Sequence, residues 1–182
     1  MSDILARMLA LHSSPAICGI KASNLISFDT NEISDIEEEI KELNSLYGPK
    51  ICFKILQHRQ NKVLVLVYKK NVMEKTLLLK KNKDFLESLG YDVKDAESMI
   101  GCLKDRLNQN NDFPHEIGVF LGYDLNDTIE FLHGNKNCLY VGYWKVYSDL
   151  DEKMALFNRY NKCRDCVVRL LDKGYPLENF LR

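Results

Sequence analysis

The chain reads as an α+β fold, a single domain over residues 1–182 in which a small, mainly antiparallel sheet of about four strands packs against several helices. Three observations predict it. KICFKILQH and KVLVLVYKK flank the polar turn Arg59-Gln60-Asn61-Lys62, the signature of a β-hairpin. CLYVGYWKVY, rich in aromatics, is a further strand candidate that arrives only after several helical segments. Between and beyond these runs, apolar residues recur at helical spacing, and no repeat or low-complexity linker divides the chain.

Taken in order, Ile4, Leu5, Met8, Leu9 and Leu11 predict a first helix that Ser13, Ser14 and Pro15 punctuate. A strand in ICGIKASNLISF follows and ends near Phe28. From Asp29 or Thr30, Ile33, Ile36, Ile40 and Leu43 mark one face of a helix stopped by Gly48-Pro49. The hairpin comes next, its second strand apolar on both faces and therefore central in the sheet. Asn71 and Glu74 open a helical stretch with a break near Asn82 that runs to Gly90, and Met99, Ile100, Leu103 and Leu107 define another beginning near Asp95. Asn108 to Asp112 read as a polar loop. Asp124 and Asp127 suit the start of a helix that Gly134 ends, and Asp149 with Glu152 opens a long last helix striped by Met154, Phe157, Tyr160, Cys163, Val167 and Leu170. Tyr68, Trp144 and Val146 are expected to be buried in central strands.

Composition narrows the function classes. With 46% hydrophobic and 28% charged residues, 182 residues suffice for one buried core. Twenty-five Lys and Arg against 26 Asp and Glu leave a net charge of -1, so no global field recruits nucleic acid or an anionic membrane, and neither is expected as a partner. Asp3 and Arg7 interrupt the apolar start, which argues against an export leader, and no apolar run approaches a membrane span. Six cysteines scattered among apolar residues read as reduced thiols in a cytoplasm.

Two blocks stand out. In FPHEIGVFLGY, Asp112 as cap, Pro114 in the first turn and Phe113, Ile117, Phe120 and Leu121 on one face predict a helix over 114–122. His115 and Glu116 then occupy its first turn, where unpaired N–H groups accept a negative charge. Gly118 and Gly122 admit a close approach by another backbone or by a ligand. The pair reads either as capping and packing or as a ligand site, and an imidazole beside a carboxylate also suits acid–base work. HExxH zinc chemistry fails because position 119 is valine. GYWKVY sets Tyr143, Lys145 and Tyr147 on one strand face and Gly142, Trp144 and Val146 on the other, which serves either core filling or the stacking of a ring beside a cation. Cys163 and Cys166 have CxxC spacing, but they fall inside a helix on its apolar stripe and no second pair accompanies them, so they read as buried thiols and no metal site is expected. His12 and Lys21 can support the same site.

PHEIGVFLGY, followed by GYWKVY and then by a long cysteine-bearing helix, resembles a bacterial family, found mainly in anaerobic Gram-positive organisms, that is defined only as a domain of unknown function. His12, Pro15, Gly19 and Lys21 in HSSPAICGIK, and LVLVYK in the hairpin, resemble its opening and central blocks. The resemblance spans nearly the whole chain and implies no activity, substrate or cofactor. Ser13 stands where that family often has a cysteine after the first histidine, and Lys69 where it often has an arginine after the hairpin tyrosine.

Three functions compete. The first is a soluble cytoplasmic protein binding a small ligand or a cofactor of unknown identity, its candidate site drawn from His115, Glu116, Lys21, Tyr143, Lys145 and His12. The second is an enzyme with His115 and Glu116 as its acid–base pair. The third is a protein-interaction module, such as a homodimer, with no small-molecule site.

Overall fold

The structure is a computed structural model that describes residues 1–109 and 112–181. In chain order the elements are α1 (Asp3–Ile17), β1 (Ser23–Asp29), α2 (Ile36–Tyr47), β2 (Ile51–Arg59), β3 (Lys62–Lys69), α3 (Lys70–Leu77), α4 (Lys80–Ser88), α5 (Ala96–Gln109), α6 (Ile117–Phe120), α7 (Leu125–Leu132), β4 (Tyr140–Val141), β5 (Lys145–Val146), α8 (Leu150–Asp172) and α9 (Glu178–Leu181). This is an α+β fold with antiparallel strands. The chain divides into two compact units, Met1–Val72 with the chain from Lys162 onward, and Met73–Asn161.

The first unit holds the sheet, ordered β1-β3-β2 with both pairings antiparallel, so KVLVLVYKK is central as its two-sided apolarity predicts. Gln60 and Asn61 make the hairpin turn, Gln60 taking the positive φ of 49° that such a short connection demands. Register sets Ile26 opposite Val65, Phe28 opposite Val63 and Phe53 opposite Val67, one apolar face that joins Leu5 and Leu9 of α1, Ile36, Ile40 and Leu43 of α2, and Val167, Leu177 and Leu181 in one core. On the other face of β3, Leu66 and Tyr68 are also buried. Asn44 of α2 exchanges two 2.9 Å hydrogen bonds with the backbone of Phe53, supplying the exposed edge of β2 with the partners a neighbouring strand would give.

Several boundaries differ from expectation. α1 does not stop at Ser13–Pro15. Those residues are buried, Ser14 Oγ donates to the Ala10 carbonyl, and the helix continues to Ile17 before Gly19, at φ +73°, turns the chain. β1 starts only at Ser23, and α2 only at Ile36.

In the second unit the helix break falls at Leu78 and Leu79. Asn82 instead lies inside α4, where its side-chain amide donates to the Thr76 carbonyl at 2.7 Å and closes the end of α3. Met99, Ile100, Leu103 and Leu107 are buried along α5, which Asp95 caps by accepting from Ser98 N at 2.8 Å. Of the polar loop at 108–112, residues 110 and 111 lie outside the described residues. GYWKVY is not a central strand. The chain folds back through residues 142–144 into a two-residue ribbon, β4 against β5. Trp144 and Val146 are nonetheless buried, as is Tyr68 in the first unit.

Candidate functional site

FPHEIGVFLGY makes a single helical turn, not a helix over 114–122. The N–H groups of Ile117, Gly118 and Val119 already bond the carbonyls of Pro114, His115 and Glu116 at 3.1, 3.2 and 3.0 Å, so this end offers no anion those donors. Glu116, not Asp112, is the cap residue, and it makes no side-chain capping bond. The turn ends at once because Gly122 takes φ +70° while Tyr123 N bonds back to the Gly118 carbonyl at 2.9 Å. Gly118 does admit a close approach, and what approaches is α7: a Cβ there would lie 2.9 Å from Thr128 Oγ1.

The two residues of the HE pair part company. Glu116 is buried at 6% exposure, and its Oε1 accepts from Tyr91 OH at 3.0 Å and from Arg106 Nη1 at 3.2 Å. Arg106 also lies over the Tyr91 ring, 4.4 Å from its centroid, and donates to the Leu89 carbonyl just past the end of α4. Burial, and then the Glu116 charge, push the Tyr91 phenol well above its usual range, which keeps it a donor. The cluster ties α5, the end of α4 and the HEIG turn together with every charge paired.

His115 faces the other way, exposed, with its ring edge-on to Phe131 at 5.0 Å and tilted against Phe113 at 5.7 Å. Lys145, also exposed, brings Nζ within 5.2 Å of the centroid of the same Phe131 ring. His115 and Lys145 are therefore the two candidate residues that converge, each on one benzene ring of α7. Tyr143 is half-buried against Phe157 and Tyr160, and its hydroxyl donates to Asn161 Oδ1 at 3.0 Å.

Beneath that face lies Asp127, 1% exposed. Its carboxylate accepts from the Trp144 indole N–H at 2.7 Å, from Tyr147 N at 2.8 Å and from Ser148 N at 3.3 Å. The two backbone N–H groups are ones that a flanking strand would otherwise satisfy, which is why GYWKVY can leave a sheet and wrap. Trp144 stacks on Tyr123 at 4.7 Å and meets Phe157 edge-on at 4.6 Å.

In the first unit, Lys21 is 3% exposed and donates to the Ser23 carbonyl, and burial lowers its pKa to about 7. His12 is exposed on α1. All six cysteines are free thiols, and the CxxC pair is not buried: Cys163 is partly exposed and Cys166 exposed. The influence of Cys163, and less strongly of Lys69, lowers the Cys18 thiol to about 7 against the opposing effect of burial, while the Cys163 thiol is raised. Among the described residues no group of three His, Cys, Asp or Glu is placed to hold a metal ion, and no helix is long and apolar enough to cross a membrane.

Asp127, Arg106, Tyr91 and Phe131 were invisible as site residues in the sequence. Asp127 looks like a second capping acid, Arg106 lies off the inner stripe of α5, and Phe131 reads as one apolar residue among many. No curated protein and no solved structure matches the chain. A family model does match residues 9–181, and the chain belongs to the family described as protein of unknown function (DUF3793).

Proposed function

We propose that this is a soluble, cytoplasmic binding protein whose second unit holds a small anionic ligand with an apolar ring, on the face built by His115, Phe131 and Lys145. The observation that carries the reading is the convergence of an exposed imidazole and an exposed ammonium on the half-buried ring of Phe131. Such a face offers a cation, a hydrogen-bonding ring nitrogen and an aromatic surface together, which suits an anion that also buries carbon. The acid–base reading has less behind it, since Glu116 is engaged by Arg106 and Tyr91 and makes no hydrogen bond to His115 among the described residues.

Anilinonaphthalene sulfonate, an aromatic anion whose fluorescence rises on binding, tests the reading on the full chain. Saturable binding that falls about tenfold in Lys145→Ala supports it. Equal binding by wild type and variant removes the face as a ligand site.

A second reading, an interaction module, is favoured by one observation: Leu139, just before the ribbon, and Tyr140 and Val141 within it are 57%, 42% and 64% exposed. Sedimentation of the wild type against Leu139→Lys distinguishes it, because a dimer held there would dissociate in the variant.

A further inference from the structure

We propose that the bend between α3 and α4 is a docking surface for an anionic membrane. Lys75, Lys80, Lys81 and Lys83 meet the headgroups, and Leu78 and Leu79 enter the boundary of the acyl chains. The two leucines are adjacent and 48% and 51% exposed, although Leu77 before them is fully buried. Lys75, Lys80 and Lys81 are exposed and Lys83 partly so. Single exposed leucines are ordinary, but a side-by-side pair flanked by cations is the composition of a segment that lies on lipid.

Hydrogen bonds set the bend. α3 ends at Leu77 and α4 begins at Lys80. Asn82, 6% exposed, donates to the Thr76 carbonyl at 2.7 Å, and the Leu79 carbonyl accepts from Asn82 N and Lys83 N at 2.9 Å each. The leucines are thus held at its apex, and no refolding is needed to present them.

A bend that faced only water would be composed differently. Leu79 is the N-cap residue of α4 and makes no side-chain capping bond, where Ser, Asp or Asn would contribute stability. The first turn of α4 holds no acid, so the positive end of the helix dipole adds to the lysine charges. Over residues 74–84 four lysines stand against two acids, Glu74 and Asp84, a local balance of +2 on a chain whose net charge is -1. Asp84 is itself paired with Lys80 at 2.6 Å. The whole-chain charge, which argues against a membrane partner, averages out this cationic segment. Aliphatic side chains choose the occupant: a nucleic acid would stack on aromatic rings, whereas leucine gains by leaving water for hydrocarbon. Among the described residues no helix is long and apolar enough to cross a membrane, so the contact is peripheral and reversible. It shares no residue with the face of His115, Phe131 and Lys145.

Flotation of the full-length protein with vesicles of phosphatidylcholine, alone or mixed equally with phosphatidylglycerol, tests the surface. The wild type should float with the mixed vesicles only, and raised salt should weaken that binding. Each lysine near an anionic surface strengthens binding about fivefold, so Lys75→Gln combined with Lys81→Gln should weaken it by about 25-fold. Leu79→Asp separates binding from folding, because it gives α4 a better N-cap while removing an apolar contact with lipid. Its melting temperature should not fall below that of the wild type, and its vesicle binding should be lost. Equal flotation with both vesicle compositions, none with either, or unchanged binding in Leu79→Asp or in the double glutamine variant would each overturn the proposal. Binding of a single-stranded oligonucleotide in place of vesicles would overturn it too.

Discussion

Two layers of the second unit are built from the same two sequence blocks and treat their polar residues in opposite ways. In the inner layer Glu116 and Asp127 are closed: two donors converge on the first and three on the second, and both carboxylates are almost wholly removed from water. In the outer layer His115 and Lys145 are exposed and meet aromatic rings. HEIG sends one residue to each layer. GYWKVY does the same, with Trp144 bonded to Asp127 below and Lys145 over Phe131 above. A buried acid that is fully partnered holds structure together, whereas an exposed cation on an aromatic ring keeps capacity for something else.

The largest effect expected is on the inner layer. Trp144→Ala removes an indole packed between Tyr123 and Phe157 and should cost about 4 kcal/mol in urea denaturation. A loss under about 1 kcal/mol would mean that the aromatic cluster is peripheral. Asp127→Asn should cost about 3 kcal/mol, since three donors lose a charged acceptor at a buried site. It should also shift Trp144 fluorescence, and an unchanged spectrum would break the link between α7 and the wrapped block.

Lys21 sharpens the comparison from the first unit, because burial sets its protonation. Its folded pKa, lowered to about 7, lies below the unfolded value, so between the two the unfolded chain binds the extra proton and stability rises with pH. Unfolding free energy should climb by about 2 kcal/mol from about pH 7 to about pH 9, and Lys21→Met should flatten that rise. An identical slope in the variant would place the titration elsewhere.

A smaller effect is expected at Gly118. Alanine there presses on Thr128 Oγ1, and should destabilise by about 1–2 kcal/mol with dye binding intact; Thr128→Ala should restore most of it. Lost dye binding at unchanged stability would instead mean that a ligand, not α7, uses the space.

The sheet was legible in the sequence because a polar two-residue turn between apolar runs fixes a hairpin locally, and because residues 63–68 are apolar on both faces. The helices of the second unit were legible for the same reason: Met99, Ile100, Leu103 and Leu107 keep period. GYWKVY was not. Its β-branched and aromatic residues have strand propensity, yet the wrap depends on Asp127, some way back in the chain, whose carboxylate replaces a strand neighbour. The HEIG turn was over-extended because Ile117, Phe120 and Leu121 carry helical period, while Gly122 at positive φ ends the helix after one turn. Of the site, His115 and Lys145 were visible as unusual residues, but their meeting at Phe131 is a fact of tertiary structure.

The claim that adjacent residues serve different layers is tested most directly by His115→Gln and Glu116→Gln, compared in one set of urea denaturation and dye-binding measurements. Glutamine keeps size and hydrogen bonding in both. Glu116→Gln should lose about 2 kcal/mol of stability, less than a fully buried pair would because Arg106 is partly exposed, and should bind the dye as wild type does. His115→Gln should unfold as wild type does and bind several-fold more weakly. The reverse result, a destabilised His115→Gln that binds normally beside a stable Glu116→Gln that does not, would contradict the account.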